Sequence, residues 1–205
     1  MYKKYIKRLL DIVFSLLAII IGLPIFCIVG LFVLLFLGRP VIFKQKRPGK
    51  NEVIFTLYKF RSMSNKKDKN GNLLPDEQRL NKFGKFLRKT SLDEIPEFFN
   101  ILKGDMSFIG PRPLTISYLK YYTKEEHHRH DVLPGLTGWA QVNGRNNLNW
   151  DDRFKCDLEY IKKMSFFFDL KIVFLTIKKV FTSKDIVVRG TGNAVDFSEY
   201  RKKEC

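Results

Sequence analysis

Between positions 12 and 37 the chain carries no charged side chain and is built almost wholly from Leu, Ile, Val and Phe. Wound as helix at about 1.5 Å per residue, that run is roughly 39 Å long, enough to cross a hydrocarbon core with tilt. Gly22-Leu23-Pro24 interrupts its middle, where proline removes a helical hydrogen bond. Lys3, Lys4, Lys7 and Arg8 precede the run, and Arg39, Lys44, Lys46, Arg47 and Lys50 follow it. Positive charge stays cytoplasmic, so both ends ask for the same side of a membrane. A re-entrant helix hairpin, broken at Pro24 with Gly22 giving flexibility, satisfies both demands. A kinked span is the alternative. A secretory signal is excluded by the length of the run and by the lack of a small-residue cleavage site after it.

Beyond the apolar run the pattern predicts short strands over 41–43 and 53–58 around the turn 47–51. The stretch 64–76 is polar, rich in Lys and Asn, and reads as a loop. Helical spacing follows over 80–89, then over 95–103 with Gly104 as its stop, and over 114–126. A glycine-rich turn region surrounds Trp139, and helices are expected over 151–163 and 166–181. Lysines interleave with Phe166, Phe167 and Phe168, a pattern equally suited to core packing and to a helix lying on an anionic membrane. The expected fold is α+β: mostly helical, with a few short strands and amphipathic interfacial helices. Three regions are expected: an anchor over 1–38, a chemistry-bearing domain over 39–185 and a polar, weakly structured tail over 186–205.

The formal net charge of +16 on 205 residues predicts an anionic partner: nucleic acid, anionic lipid or a phosphate-bearing substrate. Nucleic acid is the weakest of the three, because no binding motif is visible and the apolar run goes unexplained. The three cysteines, Cys27, Cys156 and Cys205, lack metal-type spacing and read as free thiols in a reducing compartment. His127-His128-Arg129-His130 has no spacing that converges on a tetrahedral ion, so it is taken as a structural or solvated segment.

The candidate chemistry lies in Thr90-Ser91-Leu92-Asp93-Glu94-Ile95-Pro96-Glu97. Pro96 is easily accepted only in a first helical turn, which starts a helix near Asp93. Neighbouring helical residues point about 100° apart, so Asp93 and Glu94 take two different roles. Ser91-Leu92-Asp93-Glu94 also fits a capping box, the bland alternative. Arg112, fixed between Pro111 and Pro113, suits a donor fork gripping a phosphate.

Lys59-Phe60-Arg61-Ser62-Met63, Arg88, the Asp93-Glu94 dyad, Pro111-Arg112-Pro113 and the segment from Pro134 to Arg145 follow one another in that order. Together they resemble the bacterial sugar transferase family, the monotopic polyprenyl-phosphate phosphoglycosyl transferases. The likeness is closest to the small Campylobacter-type enzymes that initiate protein N-glycosylation. It departs from them at the helix break, where Leu23-Pro24 stands in place of Ser-Pro.

The resemblance implies transfer of a sugar 1-phosphate from a UDP-sugar, such as an N-acetylated amino sugar, to undecaprenyl phosphate, with release of UMP and a need for Mg²⁺. It implies Asp93 as nucleophile and Glu94 as metal ligand or proton handler, with both carboxylates as the metal candidates. Lys59, Arg61, Arg88, Arg112 and Arg145 are implied as phosphate-binding residues. Pro111, Pro113 and Asp169 are implied as support, Asp169 being equally readable as a buried salt-bridge partner or a cap. The implied setting is the cytoplasmic face of a bacterial inner membrane with anionic lipids, upstream of further glycosyltransferases. Two rivals remain: a non-enzymatic basic membrane adaptor, for which Asp93 is dispensable, and a haloacid-type hydrolase, for which the D-x-D motif is missing.

Overall fold

The protein is described from a computed structural model covering residues 1–144, 148–182 and 196–204. A π-helical turn, Tyr2–Ile6, leads into the long helix α1, Lys7–Leu37. An antiparallel hairpin follows, β1 (Ile42–Pro48) against β2 (Ile54–Phe60). The short α2 (Asp76–Arg79), α3 (Lys82–Lys89) and α4 (Glu97–Lys103) come next. Strand β3 (Ser107–Ile109) pairs in parallel with β4 (Gly135–Thr137), and α5 (Lys124–His127) lies between them in the chain. The remaining elements are α6 (Trp139–Asn143), α7 (Trp150–Lys163), α8 (Phe166–Thr182) and α9 (Phe197–Glu204). The mostly helical α+β expectation holds.

Helix α1 does not show the expected hairpin. It runs without interruption through Gly22 and Pro24. The packing gives a reason. Asp11, Ser15, Val29 and Val33 are buried and positions 18, 22, 26, 30 and 37 half-buried, so one stripe at helical spacing continues across the proline. The single hydrogen bond that Pro24 removes is a small loss against a helix held along its length.

The first half of the stripe meets α4 and β3. Arg8 donates to the carbonyls of Ile101 and Leu102 at 2.6 and 2.8 Å, and Asp11 accepts from the Ser107 hydroxyl and the Phe108 amide, each at 3.0 Å. The second half packs Val29 and Val33 on Phe60 and Leu87, each fully buried apolar side chain contributing about 1.5–3 kcal/mol. The rest of the helix surface, Phe14, Ile20, Ile21, Leu31 and Leu35 among it, stays exposed.

Several expected boundaries shift. The predicted turn at 47–51 gives up Arg47 and Pro48 to β1, whose register runs from Ile42 opposite Phe60 to Pro48 opposite Ile54. The predicted helix over 114–126 is instead a 3₁₀ stretch, Ile116–Tyr121, followed by α5. The break is chemical: Thr123 starts a new helix through a capping box with Glu126. The turn region around Trp139 forms β4 and α6. The C-terminal end, expected to be weakly structured, forms α9, and Phe197 is fully buried against Leu114, Tyr122 and Phe154. In the Phe166 region the core-packing reading holds for one face of the helix, and aromatic side chains stay exposed on another. Ile172 is buried in the core, while Phe167 and Phe174 on the same helix face outward at 80 % and 64 % exposure.

Candidate active site

Lys59, near the end of β2, is the pivot of the site. Its ammonium lies 2.7 Å from Glu94 and 2.9 Å from Glu97. Glu94 also accepts from Arg112 at 2.5 Å. Three segments distant in sequence therefore converge on one carboxylate. Burial pushes the Glu94 carboxyl upward, but the Arg112 and Lys59 cations beside it win and hold it well below the usual carboxylate range. Asp93, in the same turn, goes the other way. Burial, then the charge of Glu94, lifts it to about 6. Two adjacent acids thus sit in opposite electrostatic states, an arrangement typical of functional sites.

The local backbone explains the placement. Dyad residues lie in a 3₁₀ turn, Leu92–Glu94, ahead of α4. Ser91 takes a left-handed conformation, φ 57° and ψ 18°, and its side chain makes no capping hydrogen bond, so the capping-box alternative is not realised. Pro96 occupies the N-cap of α4, two residues beyond the dyad, rather than a position inside a helix that begins at Asp93. Gly104, φ 99°, closes α4 in the left-handed C-cap anticipated for it.

Arg112 is positioned by its backbone. At the crossing of β3 and β4, a Cβ on Gly135 would come 2.1 Å from the Gly110 nitrogen, so both chains must pass where side chains cannot fit. The Gly135 amide donates to the Pro111 carbonyl at 2.9 Å, and Arg129 donates to the Arg112 carbonyl at 2.8 Å. Arg129 is itself buried and paired with Asp157 at 2.8 Å. The sequence singled out Pro111 and Pro113 as the frame of Arg112; Arg129 and Asp157, further parts of that frame, were missed.

The other anticipated residues disperse. Arg88 lines the same cleft and donates from Nε to the Ser62 hydroxyl at 2.9 Å. Arg61 touches the cleft, but its guanidinium is spent on the carbonyls of Leu37, Gly38 and Arg39, closing the end of α1. Asp169 is a buried salt-bridge partner, taking Lys7 at 2.7 Å, Tyr2 at 2.5 Å and Tyr160 at 2.9 Å. Arg145 lies outside the described residues. His127, His128 and His130 each turn to a different partner, Glu52, Asp131 and the Gly49 carbonyl, as a structural segment should. Glu97 went unused, although its i,i+3 spacing from Glu94 placed it on the same helical face.

The cleft, about 1050 Å³, joins two chemistries. Its lining includes Lys59, Asp93, Glu94 and Arg112 together with Phe14 of α1 and Phe166, Leu170 and Val173 of α8. Among the described residues no group of three acidic, His or Cys side chains forms a metal cage. Mg²⁺ does not require one, since it keeps several waters and is held by one or two carboxylates together with substrate phosphates. Glu94 Oε1 already faces two cations, which leaves Asp93 and the second Glu94 oxygen as the protein donors that fit.

A family model described as bacterial sugar transferase matches residues 2–183. An uncharacterized sugar transferase EpsL of Bacillus subtilis (strain 168) is 49 % identical over 181 residues, 88 % of this chain and 90 % of that protein. The UDP-glucose:undecaprenyl-phosphate glucose-1-phosphate transferase of Escherichia coli (strain K12) is 42 % identical, across 88 % of this chain and 41 % of its own length. The UDP-N-acetylgalactosamine-undecaprenyl-phosphate N-acetylgalactosaminephosphotransferase of Aeromonas hydrophila is 38 % identical, across 87 % and 44 %. The chain thus spans most of the first relative and about two-fifths of the other two.

Proposed function

Because this chain belongs to the bacterial sugar transferase family, we propose that it transfers a sugar 1-phosphate from a UDP-sugar to undecaprenyl phosphate, releasing UMP. One observation carries the reading: Asp93 and the cation-clamped Glu94 share a single cleft with apolar side chains of α1 and α8. Such a lining suits a diphosphate through its charged groups and a lipid chain through its apolar ones.

Asp93 is the nucleophile. Its carboxylate oxygen bonds to the β-phosphorus as the bond from that phosphorus to the bridging oxygen breaks. UMP leaves with the electron pair, and the sugar phosphate stays on Asp93 as an acyl phosphate. The oxygen of the lipid phosphate then takes the phosphosugar and frees Asp93. Both bonds exchanged are phosphoanhydrides, so an acyl phosphate lies near them in energy and divides the barrier. Glu94, held ionised, keeps Lys59 and Arg112 at the reacting phosphate. Arg88 and Lys59 are phosphate-binding residues in this reading. Bound at Asp93 and Glu94, Mg²⁺ supplies neutralisation of the diphosphate charge.

Membrane association follows from α1, long and apolar enough to cross a bilayer by length and composition. Both halves of α1 pack on the same folded domain, which supports the cytoplasmic leaflet as the site, with both flanks on one side. The sugar in the finer reading is an N-acetylated amino sugar such as diacetylbacillosamine. Relatives named for glucose and N-acetylgalactosamine make those sugars its competitors.

The test mixes enzyme and a panel of UDP-sugars without lipid and measures UMP. Wild type should release about one equivalent with a phosphosugar adduct on Asp93, and Asp93→Asn should release none. Chelation by EDTA should abolish the burst without lowering Tm, and Mg²⁺ should restore it. Turnover by Asp93→Asn at the native rate would end this account.

A further inference from the structure

Arg47 has no place in the reaction as drawn so far, and its surroundings are unusual. On β1 the alternating positions Phe43, Gln45 and Arg47 all border the cleft. Arg47 is only 9 % exposed. Its Nη2 donates to the Gln45 side chain at 2.6 Å, and its Nε has no hydrogen-bond partner. Among the described residues it enters no ion pair with any carboxylate.

Of the two other buried arginines that line the cleft, Arg61 is spent on backbone carbonyls and Arg129 is ion-paired. Arg129 satisfies its guanidinium with Asp157, Tyr122 and a carbonyl. A buried guanidinium that has no ion pair and leaves its Nε unpaired is expensive to keep, and the Glu97 charge nearby offsets this only from a distance. The neighbour of Arg47 is a further cation: burial first, and then Arg112, pull its pKa down to about 10. Arg47 and Arg112 line one cleft and both feel the charge of Glu97, but only Arg112 is ion-paired, which leaves the unpaired Arg47 fork to meet an anion entering the cleft.

We propose that Arg47 is the second arm of a phosphate clamp, binding one substrate phosphate oxyanion beside the one met by Arg112, with Gln45 holding its fork in place. The proposal rests on the transferase reading above. Two substrates carry the required chemistry, the nucleotide diphosphate and the lipid phosphate monoester.

The experiment uses the full chain in detergent micelles with Mg²⁺ and the variants Arg47→Gln and Arg47→Lys. It measures affinity for UDP and for uridine, KM for undecaprenyl phosphate, and Tm without ligand. For Arg47→Gln, UDP should bind about ten- to hundredfold more weakly while uridine affinity is unchanged, the size expected for a lost charge-assisted contact. Tm should stay level or rise, because an uncompensated buried charge has gone. Arg47→Lys keeps the charge without the fork and should fall between the two; it also serves if Arg47→Gln does not accumulate. A similar rise in KM for undecaprenyl phosphate, with UDP affinity intact, supports the clamp and assigns its phosphate to the lipid. Unchanged values for both substrates overturn the proposal, and a lower Tm would then mark Arg47 as a packing residue. Wild-type turnover alongside that result leaves the transferase reading standing, whereas wild type that releases no UMP from any UDP-sugar removes the reading itself.

Discussion

Asp93 and Glu94 show how far two identical functional groups diverge when their partners differ. Glu94 is fixed by Lys59 and Arg112, while burial and that neighbouring charge lift Asp93 to about 6. A nucleophile must be ionised, so the UMP burst should weaken as pH falls through about 6 and level off above 7, as stopped assays across that range will show. Stability runs the other way. The folded-state pKa of Asp93 is raised above its ordinary 3.8, so its contribution is fully present below about 4 and is lost as pH rises to about 6. Asp93→Asn should therefore match the wild-type Tm at pH 4 and exceed it at pH 7.

Pro96 restricted where a helix could begin, but α4 starts just past it and the dyad lies in the 3₁₀ turn before. The left-handed Ser91 was not legible, since nothing in the residue type announces φ 57°. Ser91→Gly should keep activity and leave stability equal or up by about 0.5–1 kcal/mol, whereas Ser91→Val should lose both, as thermal melts and the UMP assay will report.

At the scale of elements, helical periodicity gave α3, α7 and α8 because each buries one face over at least two turns. Short elements escaped it. Strands β3 and β4 are three residues each, and their pairing is parallel and distant in sequence. Local pattern carries no trace of such a contact. Gly110 and Gly135 were the only hint, and the reason for them is backbone proximity rather than turn chemistry. Gly135→Ala should abolish the folded enzyme, seen as loss of cooperative melting. Arg129 tells a related story. Its segment was read as structural or solvated, and the sequence could not show that Arg129, paired with Asp157, donates to the Arg112 carbonyl. Removing one partner from a buried pair typically costs about 3–5 kcal/mol, so Asp157→Asn should lower Tm sharply and raise KM for the UDP-sugar.

Across the whole molecule, α1 is tied to the domain along one narrow stripe while most of its apolar surface stays exposed. Its first half is bound by α4 and β3, its second by β2 and α3. Both basic flanks led the sequence reading to expect a hairpin that returns them to one side of a membrane, with a kinked span as the alternative. The structure offers attachment along the domain instead, through polar contacts at Arg8 and Asp11 that hydropathy cannot register. Cysteines placed at positions 4 and 44 should both react with an impermeant thiol reagent from inside-out vesicles, and neither from intact spheroplasts. Labelling of the two from opposite sides would refute one-sided attachment.

Arg61 seals the last carbonyls of α1 two residues along the chain from Lys59. The membrane segment is consequently not an interchangeable tether. A chimaera in which residues 1–38 are replaced by an unrelated hydrophobic leader would still reach the bilayer, yet it would arrive with Val33's socket empty and the floor of its catalytic groove unmade.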